Sequence, residues 1–103
     1  VLHHVSEAWK VPEEILASGA ACSVILVDSP GGKLEARDLS LDTPRVLHAA
    51  GVPLSLHSDD FITDSRLFLR AGALAVRAGL PREAALEALT LGGARQLDLD
   101  QRI

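Results

Sequence analysis

An alternation constrains this chain most: apolar stretches at residues 1–5, 20–27 and 52–56 each run into polar residues and are each followed by a segment with helical spacing. Residues 1–5 are too few for a helix, and residues 20–27 read Ala-Ala-Cys-Ser-Val-Ile-Leu-Val, a continuous apolar run rich in β-branched side chains. Runs of this kind suit strands covered on both faces. Strand, helix, strand, helix, strand, helix with short connections requires parallel strands and right-handed crossovers, so the fold class is α/β. Three such strands either open a flavodoxin-like sheet or form part of a closed barrel, and periodicity does not choose between them.

The helical segments follow from punctuation. Residues 6–18 read as a helix capped by Ser6, with Trp9, Val11, Ile15 and Leu16 at helical spacing and Ser18-Gly19 as its stop. Pro12 is expected to bend it or to move its true start to about residue 11. A short helix is predicted over 43–50, with Pro44 near its first turn and Gly51 at its end. Residues 63–78 predict a long helix ended by Gly79, and Pro81 opens another that Leu91-Gly92-Gly93 should break, leaving one short turn near 94–97. Asp28-Ser29-Pro30-Gly31-Gly32 begins a loop of about ten residues, longer than the usual βα connection.

Composition narrows the partners. A length of 103 residues with 48% hydrophobic side chains is enough for one domain, and 3% aromatic content suits helices on aliphatic strands. The net charge of −4 and scattered Lys and Arg give no footprint for a phosphate backbone, so nucleic acid is excluded. No apolar run approaches the ~20 residues that span a bilayer, so no membrane partner is expected. The single Cys22 reads as a buried strand thiol in a chain that needs no oxidising compartment, and a cytoplasmic location is expected.

Polar residues gather at the three strand ends: His3 and His4, then Asp28 and Ser29, then His57, Ser58, Asp59 and Asp60. The carboxyl ends of parallel strands share one rim, where ligands bind in open sheets and closed barrels alike. Imidazole with carboxylate suits a divalent transition metal such as zinc, and an adjacent Asp suits a general base. Strand alternation lets only one of His3 and His4 face a given pocket. Asp59 and Asp60 serve equally well as caps for the helix near Thr63. Ser29 to Lys33 lacks phosphate-loop spacing, His48 reads as structural, Arg66, Arg70 and Arg77 as a solvated face, and Trp9 as packing against the sheet.

Three motifs in series resemble the amidohydrolase superfamily, in its imidazolonepropionase-like and prolidase-like branch. His4-Val5-Ser6-Glu7-Ala8 is similar to the segment after the sixth barrel strand, where a metal-binding His precedes a small residue, Ser or Thr, and Glu. The stretch from Val52 to Asp59, Val-Pro-Leu-Ser-Leu-His-Ser-Asp, is similar to the eighth strand, whose Ser/Thr-Asp pair reaches the catalytic metal. Arg77-Ala-Gly-Leu-Pro-Arg-Glu-Ala-Ala-Leu86, then Thr90 and Ala94-Arg95, resembles the helices after the barrel, and Asp98 to Ile103 the lead-in to C-terminal strands.

The resemblance implies a partial TIM-type (β/α) barrel, about the last three βα units plus trailing helices, with residues 1–103 the C-terminal part of a (β/α)8 domain. It implies a metal-dependent hydrolase of C–N bonds acting on a small-molecule substrate, with a divalent metal, zinc, as cofactor. His4 and Asp59 are its implied metal ligands, His3 replaces His4 if the register shifts by one, and Asp59 is the implied catalytic proton shuttle. The family's first-strand His-x-His pair, fourth-strand Lys or Glu and fifth-strand His are not in this sequence. The chain starts at Val1 directly in a strand, which reads as a cut from a longer protein. On this reading the fragment alone is inactive, its metal site mostly empty. Its unpaired edges and uncovered apolar face should pack against the remainder of the barrel or a second copy. The competing reading is an independent flavodoxin-like binding or interaction module without catalysis.

Overall fold

The structure, a computed structural model, describes residues 1–26, 34–60 and 62–102, without the side chain of Glu35. The three apolar stretches form strands β1 (Leu2–His4), β2 (Cys22–Val24) and β3 (Leu54–Leu56), in that order across one parallel sheet. The register aligns Leu2 with Cys22 and Leu54, His3 with Ser23 and Ser55, and His4 with Val24 and Leu56. All three chains therefore leave the sheet at one end. The fold class is mixed α/β with parallel strands, as the element order requires.

The two sheet faces differ. Cys22, Val24 and Leu56 join the apolar core with Leu47, Ala75, Leu80, Ala85 and Ala88. Cys22 is fully buried, and burial pushes its thiol up from the ordinary range. Alternation puts His3, Ser23 and Ser55 on the opposite face. That face is polar along this row. Ser55 donates to Gln96 Oε1 at 2.9 Å, and Gln96 Nε2 donates to the Cys22 carbonyl at 3.0 Å.

Helix α1 (Pro12–Ala17) begins at the proline, whose missing N–H is harmless in a first turn. The segment before it, expected to be helical from residue 6, is instead a 3-10 turn at Ala8–Lys10. Trp9 is not packed against the sheet as expected. It stays partly exposed, its indole N–H donating to the Asp38 carbonyl at 3.0 Å. Lys10 donates to the carboxylates of Asp38 and Glu7, and its ammonium holds the Asp38 carboxyl below the usual range.

Helix α2 (Thr43–Ala50) has the bounds the sequence predicts. Gly51 closes it at φ 83°, with its amide donating to the His48 carbonyl and that of Val52 to Leu47. A left-handed residue there reverses the chain toward β3, and glycine adopts it without a Cβ penalty. The predicted helix over 63–78 becomes a 3-10 turn at Ser65–Leu67 continued by α3 (Phe68–Arg77).

The largest departure lies after α4 (Arg82–Leu89), which ends at Thr90 (φ −134°, ψ −92°) and not at the glycines. Leu91, Gly92 and Gly93 instead open α5 (Leu91–Gln96). Packing outweighs propensity here: a Cβ on Gly92 would lie 2.6 Å from the Leu54 carbonyl oxygen and 3.1 Å from that of Glu87. Both neighbours are backbone and cannot swing aside. Gly92→Ala should therefore destabilise the fold by about 1–3 kcal/mol through overpacking. Gly93, whose Cβ would meet nothing closer than 3.9 Å, should accept alanine with no loss. Chemical denaturation of the two variants checks the contrast, and equal effects would contradict this account of α5 against β3.

Candidate metal centre

The site is built by two left-handed turns. His4 closes β1 at φ 69° with Val5 at 29°, and Asp59 lies three residues beyond β3 at φ 46°. Because His4 is level with Leu56 across the sheet, the turn after β3 brings Asp59 back over the end of β1. Their side chains meet, His4 Nε2 lying 3.1 Å from Asp59 Oδ2. The expectation that these two residues share one end of the sheet is met. Val27 and Asp28, assigned to the same rim, lie outside the described residues, as does the Ser29 to Lys33 segment.

Alternation should separate His3 from His4, and it does not. The left-handed φ at His4 breaks the pleat, so its ring returns to the side of His3. Their ring centroids are 4.7 Å apart, edge to face. His57, the first residue after β3, stacks on His3 at 4.1 Å with planes 20° apart and sits 5.1 Å from His4. Ser23 Oγ and His57 Nδ1 share a hydrogen bond of 2.9 Å. One ligand atom from each of His3, His4 and His57 can be chosen so that all lie within 4.8 Å of one another. Sequence reasoning set His57 on the rim but gave it no role. The available signal was its position one residue past a strand in register with β1.

The two aspartates divide their work. The Ser65 amide and hydroxyl both donate to the Asp60 carboxylate at 3.3 Å, while the N-cap of the 3-10 turn is Asp64, whose carboxylate accepts from the Arg66 amide at 2.9 Å. Asp59 turns instead to His4. His3, His57, Ser58, Asp59, Ser65 and Phe68 line an adjoining concavity of about 380 Å³, enough room for a small molecule. His48 is exposed on α2, and Arg66, Arg70 and Arg77 are exposed along or beside α3, in keeping with bland roles.

Magnitudes argue against a purely structural role for the His4–Asp59 contact. A left-handed non-glycine residue costs about 1–2 kcal/mol, somewhat less for Asp. The contact joins side chains that are 33% and 42% exposed. Pairs so open to solvent return about 0–1 kcal/mol. Strain that its own contact does not repay is a mark of functional sites. The donor set also fits a metal: ligands of a tetrahedral zinc at 2.0–2.2 Å lie about 3.4 Å apart, close to the observed separation.

No protein-family model matches the chain, and no curated protein matches it. A solved structure does: an amidohydrolase from Thermotoga maritima MSB8 superposes with a TM-score of 0.88 at 28% identity, over 95% of this chain. The chain is similar in fold to that amidohydrolase. It spans 26% of the length of that protein.

If the turn at His4 is strained, His4→Gly should leave metal-free stability unchanged or raise it by up to about 1 kcal/mol, despite losing the contact with Asp59. Thermal unfolding in a chelator measures this. A loss of more than about 1 kcal/mol would show that the contact itself sustains the turn.

Proposed function

We propose that this chain is the C-terminal part of an amidohydrolase-type (β/α) barrel and supplies two ligands, His4 and Asp59, to the divalent-metal site of a hydrolase acting on C–N bonds. The observation that carries the reading is the convergence of these two residues from β1 and the segment after β3, with their ligand atoms 3.1 Å apart. Parallel strands in the order β1-β2-β3 and the Thermotoga maritima neighbour support it. The substrate class is a cyclic amide or amidine, a peptide-like amide, or a ring that can be deaminated.

In this reading the His4 imidazole and the Asp59 carboxylate hold zinc or a similar ion. Such an ion, when bound, supplies the Lewis acidity that makes water a nucleophile near neutral pH. Asp59 has a second task. Its carboxylate takes the proton of the attacking water and returns it to the leaving nitrogen, as a general base and then a general acid. The concavity beside His57, Ser58 and Phe68 receives the substrate, with Phe68 giving it an apolar wall. The remaining barrel strands, from the rest of the parent protein, cover the open edge of β1, where Leu2 is 42% exposed.

The test uses the full-length parent loaded with zinc or manganese and a panel of amide and deaminase substrates. Asp59→Asn keeps the size of the side chain and removes its basicity, and should lower kcat by about 10²–10⁴-fold with the fold intact. Full activity in that variant, or a parent that takes up no metal, would overturn the reading.

A further inference from the structure

Two ligands do not hold zinc well, and the sequence alone leads to a chain whose site stays mostly empty. The geometry points to a different result: His3 and His57 complete, with His4, a three-imidazole site for a divalent transition metal that this chain holds by itself, with Asp59 beside it. The inference rests on the proposed hydrolase reading for the roles of His4 and Asp59. For His3 and His57 it rests only on where the fold puts them.

Four observations carry it. The ligand atoms of the three histidines already lie within 4.8 Å of one another, against about 3.4 Å between ligands of a bound tetrahedral zinc. The contraction needed is about 1.4 Å, within reach of side-chain rotation. His3 is the exposed member, so its ring can swing off the face of His57 without disturbing the core. The buried Ser23 engages Nδ1 of His57, the kind of outer contact that fixes a ligating imidazole and leaves coordination to Nε2. Finally, the left-handed turn at His4 is the feature that returns its ring to the side of its neighbour, so the backbone strain is what assembles the cluster.

The three donors come from only two segments, residues 3–4 and residue 57, which β2 holds in register from between. A site of this kind needs no residue from elsewhere. Imidazole-rich sites suit zinc, copper and nickel more than magnesium or calcium. The chain should therefore take up zinc and leave magnesium in solution.

Zinc titration against a chromophoric chelator, with X-ray absorption on the zinc-loaded chain, tests the proposal. The expected result is one ion per chain, three imidazoles in the absorption fine structure, and at least about tenfold weaker binding in each of His3→Ala and His57→Ala, no less than the loss of an outer contact costs. His48→Ala should leave affinity unchanged. The absorption measurement uses the unaltered chain, so a variant that unfolds cannot blur the answer. Absence of stoichiometric binding overturns the inference. So does a single imidazole with unchanged affinity in both variants, a result that leaves the ion on His4 and Asp59 and the hydrolase reading intact. Conversely, three imidazoles here together with full hydrolysis by the Asp59→Asn parent would sustain this site and remove the proton-shuttle role proposed for Asp59.

Discussion

The rim depends on the pairing of β2 with strands on both sides in one parallel register. His4, Val24 and Leu56 form a level row, and each of the proposed ligands His3, His4, His57 and Asp59 lies in it, one residue before it or within three residues after it. The pairing is secured from below by burial: Cys22, Val24, Ile25 and Leu26 are each no more than 2% exposed. Side chains of this size contribute about 1.5–3 kcal/mol each when fully buried, less for the small thiol. A shift of one residue would exchange the faces, turning Ser23 into the core and Val24 out of it. Register thus protects the site and the core with the same contacts.

Above that row the backbone departs from what a strand or a helix would do unaided. His4, Val5 and Asp59 all have positive φ, and none of them is glycine. The open contact between His4 and Asp59 is too weak to sustain this. The core beneath sustains it, and the strain is directed where it gathers imidazoles and a carboxylate around one point. Asp60 shows the contrast, spending its carboxylate on Ser65, the first residue of the 3-10 turn that leads into α3.

Much of this was legible from residues alone. The parallel order followed from apolar runs alternating with helical periods, and α2 followed from Pro44 and Gly51 at its ends. The meeting of His4 with Asp59 followed from their positions after strands that run the same way. Three features were not legible, each for a physical reason. Alternation predicts opposite faces for His3 and His4, and only a left-handed φ defeats it; nothing in the order His-His-Val announces one. Gly92-Gly93 reads as a helix break by propensity, whereas the close approach to the Leu54 carbonyl makes Gly92 a packing residue inside α5. Trp9 has the size of a core residue but found its partner in the Asp38 carbonyl, a contact between residues 29 apart in sequence.

The central claim is that one cation sits at the end of this sheet, between the residues that the two left-handed turns bring together. Anomalous diffraction at the zinc edge from crystals of the chain tests it most directly. The account predicts a single anomalous peak about 2.0–2.2 Å from His4 Nε2, with the Asp59 carboxylate at or next to it. A peak seated elsewhere, or no peak while His4 and Asp59 remain in contact, would contradict it.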